Sequence, residues 1–242
     1  MSAEISNSTP LLQAVGLCKK YVMPHKSIDV LQDASLSVNA GELVAVVGRS
    51  GAGKSTLLNV LGGLDSPEKG EVLIDGKSIF SLSASRRTAL RAQRIGFVFQ
   101  SYHLLPEMTI LENVMLPAMA IGKLSSAEMR CRATELLSLV GLEGRFSHRP
   151  SELSGGEQQR AAIARALINE PSIILADEPT GNLDKATGDL VLDLLFNLVR
   201  NQGALMLIVT HDSRVAARCD RSLTLVSGRF EPSVPGSSFL NQ

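Results

Sequence analysis

No stretch of this 242-residue chain is apolar over anything like the roughly 20 residues that a membrane-crossing helix needs. If the protein works at a membrane, another chain must hold it there. An excess of one charge is also missing, since 24 Lys and Arg balance 24 Asp and Glu. The chain therefore has no overall pull toward a polyanion, and no nucleic-acid partner is expected. Cysteine is scarce. Cys18, Cys131 and Cys219 lie far apart without a CxxC spacing, and they read as reduced thiols of a cytosolic protein. The four histidines show no metal-ligand spacing. The segment from Met1 to Pro10 lacks the basic-then-apolar pattern of a secretory signal. No internal repeat is visible, which leaves one functional module per chain.

What is present is ample material for a core, with 44% apolar and 20% charged residues. The ends, 1–10 and the Ser/Pro/Gly-rich 231–242, read as flexible flanks of a single domain spanning 11–230. Leu11 to Val22 alternates loosely, as a strand does. Ala34 to Val47 holds two strand-like pieces around Asn39-Ala40-Gly41, and the second, Leu43 to Val47, is the continuous apolar run of a strand buried on both faces. A helix is expected from about Lys54 to the paired glycines Gly62 and Gly63, then a strand from Glu71 to Ile74. The middle, about 101–168, is helical in pattern, with a capping box at Ser125 to Glu128 opening a helix that runs to about Val140. Beyond Pro171, strands (Ile173 to Ala176, Leu205 to Val209, Ser222 to Val226) alternate with helices (Lys185 to Asn201 and a short one). This predicts an α/β fold: a mainly parallel sheet with an antiparallel β region and an inserted α-helical subdomain.

Three motifs carry chemistry. Gly48-Arg49-Ser50-Gly51-Ala52-Gly53-Lys54-Ser55, followed by Thr56, fits GxxxxGK[ST] and lies between a buried strand and a helix. Its glycines let backbone N–H groups turn inward around phosphate oxygens, and the helix N-terminus adds unpaired donors. Lys54 is expected to reach the β- and γ-phosphates, and the Ser55 hydroxyl to hold Mg²⁺. Further on, the apolar strand from Ser172 to Ala176 ends in Asp177 and Glu178. Carboxylates at that end of a parallel strand face the crevice where such sheets bind ligands. Asp177 suits the Mg²⁺ shell, and Glu178 suits the polarisation of an attacking water. The third motif is Leu153-Ser154-Gly155-Gly156-Glu157-Gln158. Ser154 and Glu157 are spaced as a capping box, and two bare glycines at a helix start make a second anion site.

With that third motif in place, the chain resembles the nucleotide-binding subunits of ABC (ATP-binding cassette) transporters, from Leu11 to about Arg229. The resemblance implies ATP and Mg²⁺ as cofactors and assigns further roles. Tyr21 matches the aromatic that stacks on adenine. Gln100, taken to end the strand Gly96 to Phe99, matches the glutamine that touches Mg²⁺ and senses the membrane subunit. Gly181-Asn182-Leu183-Asp184 matches the loop that crosses the dimer interface. His211 matches the histidine at the γ-phosphate. Ser154, Gly155 and Gly156 are expected to complete the ATP site of a second copy, so that two ATPs lie between head-to-tail subunits. Arg49 departs from the small residues usual at its position, and its side chain is expected to point outward.

Narrower segments, Leu61 to Asp65, His103 to Pro106, Leu111 to Val114 and His148 to Glu152, resemble the ATP-binding subunits of bacterial lipoprotein-releasing systems. This implies a peripheral protein on the cytoplasmic face of the inner membrane. It would contact integral permease subunits through 101–121, where Leu104, Leu105, Met108 and Ile110 could line a groove, and make no direct contact with cargo. Macrolide-export and cell-division ABC ATPases share much of this. A soluble ABC ATPase acting on DNA or ribosomes fits less well, because the chain has one cassette and no net charge.

Overall fold

Leu43–Val47 (β3), Ile173–Asp177 (β7) and Leu205–Thr210 (β8) are apolar at nearly every position, and the fold forms around them. The computed structural model describes residues 9–24 and 26–231; the expected flexible ends at 1–8 and 232–242 lie outside the described residues. β3, β7 and β8 belong to a six-stranded sheet ordered β10-β9-β3-β8-β7-β6, with β9 at Arg221–Val226, β6 at Ile95–Val98 and β10 at Arg229–Phe230. All neighbours from β9 to β6 are parallel, and only the edge pair β10–β9 is antiparallel.

Successive side chains on a strand point to opposite faces. Val44, Val46, Ile173, Leu175, Leu205, Leu207 and Val209 therefore join one core, and Leu43, Ala45, Ile174, Ala176, Met206 and Ile208 join the other. The first core lies under a four-stranded antiparallel sheet, ordered β2 (Lys26–Val38), β1 (Leu12–Met23), β4 (Lys69–Ile74) and β5 (Lys77–Ser78), with α1 (Lys54–Leu61) enclosed in the same core. The second core takes in α3 (Ile110–Ile121), α4 (Ser126–Leu139), α5 (Gly155–Leu167) and α6 (Lys185–Gln202). The expected mixture of parallel core, antiparallel region and helical insertion is what the chain adopts. Among the described residues, no helix is long and apolar enough to cross a membrane.

Four details differ from the sequence reading. β2 begins at Lys26 rather than Ala34; its first four residues are exposed, and the alternation from Ser27 to Val30 is cut short at Leu31. A helix, α2 (Ala84–Arg94), stands where none was expected; it has no fully buried residue, and Leu90 alone packs on the core, too little for an apolar stripe. Gln100 lies beyond β6, which ends at Val98. Ile110 cannot line a surface groove: it is fully buried in the helical core, and Leu104 packs against that core, whereas Leu105 is 43% exposed. Buried Asn113 ties this loop down, accepting from the N–H of Leu105 (2.7 Å) and donating to the carbonyls of Leu105 and Thr109 (3.0 Å each).

α3, α4 and α5 each start with a reciprocal capping box, Thr109/Glu112, Ser125/Glu128 and Ser154/Glu157. Hydrogen bonds to those caps hold all three carboxyls below the usual glutamate range: the backbone N–H first at Glu112 and Glu157, the serine hydroxyl first at Glu128. A depressed carboxyl pKa contributes stability above the unfolded value of about 4.3 and loses it as pH falls through the folded value. Helical content followed by circular dichroism is thus expected to become heat-labile on acidification from about pH 5 to 3. Glu112→Gln should shallow that dependence.

Candidate functional site

Parallel strands deliver four loops to one edge. The carboxyl ends of β3, β8, β7 and β6 lead directly into Gly48, His211, Glu178 and the turn carrying Gln100. The loop 48–53 cannot relax away from this edge because it is wedged between both sheets. A Cβ on Gly48 would stand 2.4 Å from the Leu225 carbonyl oxygen, and one on Gly53 would stand 2.6 Å from that of Val30. Gly53 also holds φ +101°, which a side chain would resist. The loop opens α1, whose first residue, Lys54, is buried. Its ammonium donates to the carbonyls of Gly48 (2.8 Å) and Arg49 (3.2 Å), so the charge sits inside the loop. Arg49 and Ser50 are exposed, as expected of Arg49.

Above the loop is a cavity of about 760 Å³ lined by Ser50, Gly51, Gly53, Lys54, Ser55, Thr56, Gln100, Asp177, Glu178 and His211, together with Ile28 and Val30. Of the residues expected in cis around the phosphates and metal, all but Gly48, Arg49 and Ala52 line it. Burial raises the Asp177 carboxyl above its ordinary pKa, with the neighbouring Glu178 adding to it, while the Ser55 hydroxyl and Lys54 oppose the rise. Glu178 adopts φ +42°, and its N–H donates to the Val209 carbonyl (3.0 Å). One carboxylate oxygen lies 2.8 Å from Nδ1 of His211, and the other accepts from the Thr210 hydroxyl at 3.2 Å. The Thr210 hydroxyl also accepts from the Asp212 N–H (3.0 Å), which leaves its proton for Glu178. Gln100 is fixed by Asn182, which donates to its carbonyl (2.9 Å) and receives its side-chain N–H (3.4 Å).

Other expected residues lie elsewhere. Tyr21 is 39% exposed on β1 and does not line the cavity. Its hydroxyl donates to Asp65 (2.9 Å). Asp65 also pairs with Lys19 at 2.7 Å, which pins β1 there. Asp184 caps α6, accepting from the Thr187 N–H (3.1 Å), and borders a separate polar cavity of about 150 Å³ shared with Glu178 and His211. Ser154, Gly155 and Gly156 are likewise absent from the large cavity. The sequence reading found no packing reason for two glycines there, and the structure supplies one. A Cβ on Gly155 would stand 2.9 Å from the Tyr102 hydroxyl, and one on Gly156 would stand 2.6 Å from a Thr187 methyl. Sequence reasoning missed Thr210, Asn182 as a partner of Gln100, and the apolar wall of Ile28 and Val30. The last could have been found, since Ile28 is the register partner of Tyr21 on β2.

A cradled lysine, a phosphate-sized loop and two carboxylates at the edge of a parallel sheet define a P-loop nucleoside triphosphatase. A family model described as ABC transporter matches residues 31–181. The chain is similar to the dimeric structure of MJ0796, a bacterial ABC transporter cassette, at 45% identity over 91% of this chain and 97% of that one, with a TM-score of 0.85. It is similar also, at 44% identity, the same coverage and a TM-score of 0.85, to the dimeric structure of a post-hydrolysis state of the ATP-binding cassette MJ0796 bound to ADP and Pi. The chain belongs to the ABC transporter family and is one of its ATPase cassettes.

A carboxyl whose pKa is raised by burial disfavours its own charge, so ionised Asp177 costs folding stability above its folded pKa. Asp177→Asn is therefore expected to melt at pH 7, without nucleotide, no lower than the unmodified protein while losing hydrolysis. Any melting difference should vanish as pH falls and Asp177 protonates. Calorimetry across pH, alongside phosphate release, checks both.

Proposed function

We propose that this cassette is the ATP-hydrolysing motor of a bacterial transporter complex, and that it closes as a head-to-tail dimer around two ATP molecules. The observation that carries the reading is that one chain holds two separated half-sites. The phosphate loop, Asp177, Glu178, Gln100 and His211 share one cavity, while the helix start at Ser154–Gly156 lies outside it. A second copy brings that free N-terminus to the γ-phosphate. The dimeric relative MJ0796 supports this assembly.

In this reading Lys54 and the loop N–H groups hold the β- and γ-phosphates. Tyr21, held by Asp65, stacks on the base, next to Ile28. The Ser55 hydroxyl, the Gln100 amide oxygen and the Asp177 carboxylate are hard oxygen donors on one cavity wall and suit Mg²⁺, which keeps several waters of its own. Bound there, Mg²⁺ neutralises phosphate charge. Glu178 accepts a proton from the attacking water, and His211, on the other side of that carboxylate, orients it and reaches the γ-phosphate. Asp184 acts across the dimer interface. Closure on ATP and opening after hydrolysis form the power stroke.

The stroke is passed to integral permease subunits. A groove of about 400 Å³ beside Gln100, lined by Arg91, Phe97, Phe99, His103, Pro117 and Arg165, suits a permease segment, with Leu105 exposed nearby in sequence. The segments around Leu61, His103, Leu111 and His148 favour lipoprotein release from the inner membrane, with this chain on the cytoplasmic face.

Glu178→Gln is expected to bind ATP, to hydrolyse it about 10²- to 10⁴-fold more slowly, and to elute as a dimer on sizing chromatography with ATP. Normal turnover would remove Glu178 from its role as base. Ser154→Arg should abolish hydrolysis while leaving ATP binding by the monomer intact, as followed by isothermal titration; a loss of monomer affinity would put that serine in cis. A detergent pull-down of tagged chain from native membranes should recover a permease with attached lipoproteins. Recovery with an outer-membrane channel would point to efflux, and recovery of no membrane partner would sink the transporter reading.

A further inference from the structure

Arg165 sits in the last turn of α5, and burial pushes its guanidinium below the ordinary arginine range. Its side chain is half-buried along the groove beside Phe99, and a cation drawn partly out of water usually faces a carboxylate. Among the described residues no carboxylate pairs with it. It donates instead to two main-chain carbonyls, those of Tyr102 (2.7 Å) and His103. These are consecutive residues at φ +59° and +50°, a left-handed conformation that non-glycine residues adopt at a cost. The fork of the guanidinium thus holds a strained turn in place.

What this turn joins gives the clamp its meaning. On its upstream side, Gln100 lines the nucleotide cavity and is locked to Asn182. On its other side, the Tyr102 hydroxyl lies 2.9 Å from where a Cβ of Gly155 would stand, at the start of the helix that carries Arg165. The ring of His103 packs on Phe99, 4.6 Å between centroids, which closes the turn onto the sheet edge. One helix therefore touches the turn at both ends: through Gly155 against Tyr102, and through Arg165 to the carbonyls.

We propose that Arg165 is a positioning residue that makes the Gln100 turn and the start of α5 move as one body. This rests on the hydrolysis reading above, in which Gln100 acts at the metal and Gly155 at the partner's nucleotide. A purely structural staple would show itself differently, lowering stability and every kinetic constant together.

The test is Arg165→Lys in the full-length chain, which keeps the cation but cannot bridge two carbonyls with a planar fork. Steady-state hydrolysis is measured against ATP and against Mg²⁺, with melting temperature alongside. The expected result is a kcat lower by about 10- to 100-fold, as for a small misplacement of a catalytic group. The half-saturating Mg²⁺ concentration should rise, while KM for ATP, set by the phosphate loop, stays unchanged. The same substitution in a Gln100→Ala background should then cost little more, because both act through one group. An unchanged kcat, a fall that tracks melting temperature, or losses that simply multiply in the double variant would overturn the proposal. Should Arg165→Lys not fold, the measurements are repeated with Arg165→Gln, and failure of both to fold would mark Arg165 as a staple and overturn it too. An unmodified protein that does not hydrolyse ATP would count against the proposed function and not against the clamp.

Discussion

The five parallel strands from β9 to β6 can satisfy their backbone within the sheet, but each presents apolar side chains to both faces, so both faces must be covered. That requirement organises the rest of the molecule. One cover is the antiparallel sheet with α1, and the other is the helical insertion with α6. With both faces taken, polar chemistry is pushed to the strand ends, and four loops meet at the carboxyl edge. The phosphate loop is shaped by the same constraint, being wedged between β2 and β9 so tightly that two of its glycines have no space for a Cβ.

Within this frame, polar groups are placed by short-range bonds more than by charge. Glu178 is held by Thr210, the last residue of β8, and by His211, which follows it, one at each carboxylate oxygen. Gln100 is held by Asn182 from the next loop along. Lys54 is held by the carbonyls of its own loop. Glu178 and Gln100 are thus each fixed by a neighbour on an adjacent strand end, so their geometry follows the strand order, while Lys54 is fixed from within its own loop.

Much of this was legible in the sequence because it is written in contiguous motifs. The run Leu43 to Val47 announced a strand buried on both faces, and the glycine spacing before Lys54 announced the loop. What escaped notice shares a physical cause. α2 sets only Leu90 against the core, and the exposed half of β2 alternates only from Ser27 to Val30, so neither leaves more than a brief periodic trace. Thr210 and Asn182 act through pairing between segments far apart in the chain, and no local window contains both partners. The glycines at 155 and 156 show the converse limit. The sequence marked them as bare backbone for an anion, whereas Tyr102 and Thr187 also require them bare. A single observation thus carried two reasons, of which one was visible.

The alternation along β3 has a wider implication. Ala45 and Val46 are covalent neighbours, yet one faces the helices and the other faces α1 and the second sheet. The strand is a party wall, with tenants on either side who share no floor. A packing defect at one residue loosens the rooms that lead to the helical insertion, and a defect one residue further loosens those that hold the phosphate loop. Distance along the chain is therefore a poor guide to which half of the machine a substitution reaches; the parity of its position on the strand is the better one.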